Sequence, residues 1–178
     1  RRDTGGNNWQ VYHKGLNGGT NPEQYYMYLN TTAGETNQYG GDSWNNTAPT
    51  ATHFTLGTDG NVNNGSSGRT YIAMLFASVD GISKVGYFDG SNSEKTITTG
   101  FSPRFVIIKA SSTTGEWNVL DTVRGWGAGN DPYLKLNSQS GQISSYDNGA
   151  PTATGFTLTG NNGGFNVSGV RYIYYAHA

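Results

Sequence analysis

The sequence predicts an all-β protein made of two consecutive β-sandwich units. Apolar and polar residues alternate in short runs, as Trp9, Val11 and His13 do around polar Gln10, and this period of two is typical of half-buried strands. Segments rich in Gly and Asn, such as residues 57–67, separate the runs and suit turns. Four sequence blocks also recur in the same order, which shared composition alone does not produce.

Each repeated block is predicted to form a strand. The shared motifs are W-x-V, Y-x-x-L-N, P-T-A-T-x-F-T-L and G-x-x-Y-I. They begin at Trp9, Tyr26, Pro49 and Gly68 in the first copy, and at Trp117, Tyr133, Pro151 and Gly169 in the second. No window of a dozen residues shows helical periodicity without an interrupting Gly or Pro, so we expect almost no helix.

The second copy contains further predicted strands at residues 84–89, 95–99 and 104–110. Phe105-Val-Ile-Ile108 is a continuous apolar run, which suits a central strand that is buried on both faces. The second copy then has about seven or eight strands, the number that a small sandwich or jelly roll needs. We therefore assign residues 1–80 to the first repeat and residues 81–178 to a complete second repeat.

The first repeat lacks a counterpart of the central strand. When Trp9 is aligned with Trp117, Arg1 falls opposite Lys109, and no residues of the chain match Phe105 to Ile108 or the hairpin at residues 84–99. A sandwich without its central strand exposes apolar side chains and unpaired backbone groups. We expect either that residues N-terminal to Arg1 exist in the native polypeptide or that another chain supplies this strand.

Composition excludes several classes of function. The formal net charge is −1, so no basic surplus attracts nucleic acid or an anionic membrane. No apolar run is long enough to span a bilayer. Cys is absent, which excludes a disulfide framework. Aromatic residues make up 13% of the chain and lie in the alternating runs, so we expect a folded core rather than disorder.

The repeated blocks resemble a repeated domain of bacteriophage virion proteins, found chiefly in tail-fibre or structural proteins of marine and cyanobacterial phages. The resemblance covers essentially the whole chain. Its most specific part is F-x-P-x-F-V-x-I-K followed by G-x-W-x-V-x-D-x-x-R-G. The matching residues are Phe101, Pro103, Phe105, Val106, Ile108, Lys109, Gly115, Trp117, Val119, Asp121, Arg124 and Gly125.

This resemblance implies two tandem lectin-like, concanavalin-like jelly-roll sandwiches, the first truncated at its N-terminal side. It implies a virion component at the particle surface, as a tail fibre, a capsid fibre or a decoration protein. The expected partners are other virion proteins, further copies of the chain in a trimer by analogy, and host-surface glycan. No nucleic acid, membrane insertion or cofactor is expected, and the family brings no catalytic residues with it.

Aromatic residues that do not recur between the copies are the candidate carbohydrate contacts. Trp126 lies between two glycines, and Trp44 lies in a polar Gly/Asn-rich segment. An aromatic ring on a polar loop can stack on a pyranose, with a nearby carboxylate to bind hydroxyls. Tyr39 and Asp131 complete the predicted set. The alternative is that these rings cover the sandwich edge or pack on a neighbouring subunit.

Catalytic and metal sites are not predicted. His13, His53 and His177 have no metal-ligand spacing, and residues 59–65 make an Asn-rich turn rather than a calcium loop. Asp121 and Arg124 are expected to fix the turn into Gly125. The alternative function is a carbohydrate-binding or glycan-hydrolysing module of a secreted bacterial protein, because sandwich strands can bring distant carboxylates together.

Overall fold

The computed structural model describes residues 1–3, 7–38, 40–65, 68–160 and 163–178. The chain is all-β, with 29% of its residues in strands and 4% in helix, which confirms the expectation of almost no helix. The strands form three antiparallel sheets, consistent with a β-sandwich. In the described part of the chain, no helix has the length and hydropathy needed to cross a membrane.

Eleven strands and two short 3₁₀ turns make up the regular structure of the described residues. The 3₁₀ turns are Leu16–Gly19 and Pro22–Gln24. The strands are β1 (Gln10–Val11), β2 (Tyr25–Tyr28), β3 (Thr36–Asn37), β4 (Ser83–Asp89), β5 (Lys95–Thr98), β6 (Phe105–Ala110), β7 (Trp117–Asp121), β8 (Tyr133–Lys135), β9 (Pro151–Thr152), β10 (Gly155–Leu158) and β11 (Arg171–His177).

The second part of the chain forms a closed sandwich. A five-stranded sheet in the order β4-β11-β6-β7-β8 faces a three-stranded sheet in the order β5-β10-β9. Val106 and Ile108 of β6 pack with Phe156 and Leu158 of β10 in one core, and each of these side chains is at most 1% exposed. Each such burial contributes roughly 1.5–3 kcal/mol. The predicted strands upstream of Trp117 and the central position of β6 are confirmed.

The five-stranded sheet is also covered on its other face. Side chains alternate along β6 and β11, so Ile107 and Ile173 point away from the sandwich core. There they pack with Trp117 against Leu16 and Met27 from the first part of the chain. The Trp117 indole N–H donates to the carbonyl of Tyr28 at 2.9 Å. The continuous apolar run in β6 is thus explained by burial on both faces.

The two parts of the chain share strand pairings at matching positions. Gln10 pairs with Tyr28 in the first sheet, as Asn118 pairs with Lys135 in the second. The Trp9 N–H donates to Asn30 Oδ1 at 2.8 Å, and the Trp117 N–H donates to Asn137 Oδ1 at 2.9 Å. The W-x-V and Y-x-x-L-N blocks therefore form the same antiparallel pair in both parts.

The other two blocks of the first repeat do not form the predicted strands. Residues 49–56 and 68–77 are irregular, apart from an isolated bridge between Tyr71 and Arg2. Their counterparts β10 and β11 are strands because β5 pairs with β10 and because β4 and β6 flank β11. No described strand pairs with residues 49–56 or 68–77, and apart from the bonds that Thr70 and Ile72 make with Asp3 and Arg1 these segments lack a strand ladder.

Candidate functional site

The two tryptophans predicted to contact carbohydrate are buried. Trp126 is 3% exposed, packs edge-on against Phe156 in the sandwich core and donates its indole N–H to Gly149 O at 2.8 Å. Trp44 is 8% exposed and donates its indole N–H to Tyr25 O at 2.9 Å. The expected exposure on loops is therefore not observed, and either ring would have to leave its packed position before it could stack on a sugar.

Asp131 lies near Trp126, and its carboxylate binds backbone N–H groups. Its side chain is fully buried, and its carboxylate accepts the N–H groups of Gly127 at 2.9 Å and Asn148 at 2.6 Å. Burial raises the pKa of Asp131, and the two N–H donors oppose that rise. This carboxylate joins two loops of the sandwich. The fourth predicted contact, Tyr39, lies outside the described residues.

The turn after β7 has the structure expected for it. Asp121 Oδ1 accepts the N–H groups of Val123 and Arg124, and its Oδ2 lies 3.3 Å from Arg124 Nε. The chain then turns through Gly125, whose φ of 109° favours glycine. The structural interpretation of the Asp121–Arg124 pair is confirmed. The described residues contain no cluster of His, Cys, Asp or Glu that could hold a metal ion.

A strip of exposed apolar side chains is the most unusual surface feature of the molecule. It lies on residues 72–82, and we call it the apolar strip. Leu75 is 76% exposed and Phe76 is 57% exposed, and the Phe76 ring lies 4.9 Å from that of Tyr175 in β11. Its members are Ile72, Met74, Leu75, Phe76, Val79 and Ile82. Exposed apolar side chains that form a patch are found at contact sites, at ligand grooves and in aggregation-prone segments.

Residues 72–76 of the apolar strip align with residues 173–177 of β11 in the repeated motifs. Phe54 and Leu75 align with Phe156 and Ala176 in the repeated motifs. Phe156 and Ala176 are fully buried, whereas Phe54 is 38% exposed and Leu75 is 76% exposed. The first repeat thus carries core residues without the sheet that would cover them.

Thr70 and Ile72 form a short ladder with the first residues of the chain. Arg1 and Ile72 exchange two backbone hydrogen bonds, and the Asp3 N–H donates to Thr70 O at 3.0 Å. The equivalent bond in the second sandwich runs from the Ser111 N–H to Arg171 O at 2.8 Å. Arg1 therefore stands where Lys109 of β6 stands in the complete sandwich.

The backbone N–H and C=O groups of residues 73–76 have no backbone partner among the described residues. Alternate residues of an antiparallel strand direct their N–H and C=O groups to the same side. Residues 73–76 themselves are irregular, so only Thr70 and Ile72 pair in this way. No backbone hydrogen bond joins residues 73–76 to another described residue.

Buried polar contacts fix the first part of the chain against the second. Glu35 accepts from Arg171 Nη2 at 2.6 Å and from the Asn17 N–H at 2.7 Å, and its side chain is 8% exposed. Lys109 is fully buried and donates to Ala110 O at 2.7 Å and to Thr32 O at 3.3 Å. Burial lowers the pKa of Lys109 to about 8. These charges bind across the interface between the two parts.

His13 makes a third contact across the same interface. Its Nδ1 accepts the Gly15 N–H at 2.9 Å, which leaves Nε2 to donate to Tyr174 O at 3.3 Å. Burial lowers the pKa of His13 to about 4, so the ring is neutral at pH 7. Sequence reasoning missed this role, because a single His in an alternating strand carries no signal of what it contacts.

Comparison with known proteins places the chain in one family. The profile described as "Domain of unknown function (DUF7483)" matches residues 1–178. No curated protein and no solved structure matches the chain.

Proposed function

The chain belongs to the DUF7483 family, and we propose that it is a non-enzymatic structural module of a bacteriophage virion. In this proposal it forms part of a tail fibre, a capsid fibre or an outer decoration, and it contacts other virion proteins through the apolar strip. Its fold is proposed to be a tandem pair of lectin-like jelly-roll repeats, the first of which is truncated at its N-terminal side.

The shared strand pairings support the tandem repeat. Gln10 with Tyr28 and Asn118 with Lys135 have the same register, and both repeats use an Asn side chain to bind a Trp N–H. Two unrelated units would not be expected to repeat such pairings together with the four sequence blocks. The difference between the repeats lies in the strands that flank the last block.

The apolar strip is the observation that carries the structural function. Leu75 at 76% and Phe76 at 57% exposure cost free energy in water, and a partner that covers them returns roughly 25 cal/mol for each Å² buried. Assembly into a particle supplies such a partner.

The chemistry of the buried charges also favours a structural role. Asp131, Lys109 and Glu35 are each committed to backbone groups or to an ion pair. A catalytic acid or base must instead face a cavity from which it can reach a substrate.

Incorporation into particles tests the proposed function. Mass spectrometry of purified virions that encode this chain should find it in a fixed ratio to the other virion proteins. A virion with Leu75→Ser and Phe76→Ser should contain far less of it, because the partner contact is lost. Val123→Ser is the matched control, since Val123 is 74% exposed outside the strip and should not change incorporation.

Two results would contradict the proposal. One is recovery of the chain only as a free protein, outside particles. The other is normal incorporation of the Leu75→Ser, Phe76→Ser variant. Circular dichroism of each purified variant shows whether it is folded, so a folding defect is not mistaken for a loss of assembly.

A further inference from the structure

We propose that a cleft in the second sandwich binds a single sugar ring at the end of a glycan chain. The cleft has a volume of about 260 Å³ and lies between one face of β7 and β8 and the loop at residues 163–164. We call it the polar cleft, and its polar side chains are those of Glu116, Asn118, Tyr133 and Lys135. This binding activity goes beyond the proposed assembly role and uses none of the apolar strip.

The strand register places the polar side chains of β7 and β8 on one face of the sheet. Asn118 pairs with Lys135, and Leu120 pairs with Tyr133, so alternation directs all four to the same side. Leu120 and Tyr133 belong to the sandwich core, whereas the Lys135 side chain is 23% exposed. The inner face of the five-stranded sheet therefore changes from apolar to polar where it meets solvent.

Two polar groups in the polar cleft are available to a ligand. Tyr133 is only 4% exposed, yet no described residue forms a hydrogen bond with its hydroxyl. The Asn118 side chain donates one long hydrogen bond, to Glu116 O at 3.5 Å, and its Oδ1 accepts none from the described residues. Buried polar groups usually have a partner. A ligand that carries hydroxyl groups supplies one to both side chains.

The first repeat shows that the fold does not require this chemistry. Gln10 stands at the position of Asn118, and Tyr28 stands at that of Lys135, because each pair has the same place in its strand ladder. The Gln10 side chain donates to the hydroxyl of Ser43, so its amide is already engaged within the protein. The positive charge of Lys135 has no counterpart there. Residues that differ between two copies of one strand pair are free to serve another purpose.

The charges of the polar cleft favour an uncharged ligand with hydroxyl groups. Lys135 Nζ lies 3.2 Å from Glu116 Oε1, so the two charges offset each other. A hydrogen bond from Asn137 lowers the pKa of Glu116, which keeps its carboxylate ionised at pH 7. Glu116 and Asn118 then offer acceptors, and Lys135 and Tyr133 offer donors. A hydroxyl group both donates and accepts, so adjacent hydroxyls of a sugar match this set.

The size of the polar cleft limits the ligand to one ring. Sites for drug-sized molecules have volumes of about 300–1,000 Å³, and this cleft is smaller, at about 260 Å³. Gly163 and Gly164 line one wall, so the ligand meets backbone there without intervening side chains. Gly164 is exposed, which leaves an exit for the remainder of a glycan.

Methyl glycosides of glucose, galactose, mannose and N-acetylglucosamine are the probes. Each is titrated into the isotope-labelled 178-residue chain and followed by the amide signals in NMR spectra. At least one should shift the signals of Asn118, Lys135 and Gly164 saturably. The expected Kd is on the order of 1 mM, because a single ring has few atoms with which to bind.

A double variant locates the site. Asn118→Ala combined with Tyr133→Phe removes the two available polar groups and keeps the aromatic ring that packs on Phe165. It should raise the Kd at least about tenfold, because two hydrogen bonds to the ligand are lost. Tyr87→Phe is the matched control, since Tyr87 is 48% exposed on β4, outside the polar cleft, and should leave the Kd unchanged. The dispersion of the amide signals shows that each variant is folded.

Three results would overturn the inference. One is the absence of a shift with every glycoside at about ten times the expected Kd. Another is an equal Kd for the double variant and the wild type. The third is a shift of the same signals by inorganic phosphate alone, which would make Lys135 part of an anion site. None of these results bears on incorporation of the strip variant into particles, so this inference and the proposed function fail separately.

Discussion

At the scale of single residues, the buried polar side chains of this protein serve to join segments of the chain. Asp131 joins two loops of the sandwich, Lys109 reaches Thr32 across the interface between the two parts, and Glu35 binds Arg171 there. Each makes short hydrogen bonds in place of those that it would make with water, which is the condition for burying a charge. Trp44, Trp126 and Asp131, which the sequence offered as sugar contacts, are likewise buried and hydrogen-bonded within the protein.

His13 makes this interface sensitive to acid. Its folded-state pKa of about 4 lies below the ordinary value of 6.5, so the unfolded chain binds a proton more readily than the folded chain does. The contribution of His13 to stability is complete above the unfolded pKa and falls as the pH drops toward about 4. Urea unfolding should show a loss of up to about 2 kcal/mol from this group between pH 7 and pH 5.

Two variants isolate the contribution of His13 to this pH dependence. His13→Gln should be less stable than the wild type at pH 7 and should lose less further stability at pH 5. His53→Gln is the matched control, because the His53 ring is exposed and bonds to Thr50 and Thr52 of its own turn, away from this interface. An unchanged pH dependence in His13→Gln would contradict the assignment of a neutral, buried ring.

At the scale of elements, one sequence motif adopts two different conformations in the same chain. The block at Tyr172 is a strand between β4 and β6, whereas the block at Tyr71 is irregular and exposed. Local sequence is similar in the two blocks, so propensity does not explain the difference. A strand requires partners for its backbone groups, and only the second block has described partners on both sides.

This contrast shows what the sequence could and could not predict. Alternation and the continuous apolar run were sufficient to locate β4 to β7 and the central place of β6. They failed for residues 49–56 and 68–77, because strand pairing is a long-range condition that local patterns do not contain. They also failed for Trp126, because a tryptophan between two glycines can cover a core as well as face solvent.

Phe156 and Phe54 give a matched test of this explanation. Both occupy the Phe position of the F-T-L motif, but Phe156 is fully buried and Phe54 is 38% exposed. Phe156→Ala should lower the free energy of unfolding by about 3–5 kcal/mol, and Phe54→Ala should lower it by about 1 kcal/mol or less. Urea unfolding measures both variants, and equal losses would show that the first repeat has a packed core after all.

At the scale of the whole molecule, a packed sandwich in the second part of the chain supports a first part whose last two sequence blocks form no strands. The two parts meet in the cluster around Trp117 and in the Glu35–Arg171 pair. Apolar side chains that cover a core in one repeat face solvent in the other. In the proposed function, a virion partner covers these exposed side chains.

Native-state hydrogen exchange of the isolated chain tests this central claim most directly. The amides of Tyr175 and His177 in β11 should exchange slowly, because β4 and β6 pair with β11 along its length. The amides of the corresponding residues, Met74 and Phe76, should exchange at nearly the rate of an unfolded chain. Slow exchange at Met74 and Phe76 in the monomeric chain would show that the first repeat is already closed, and would contradict the account.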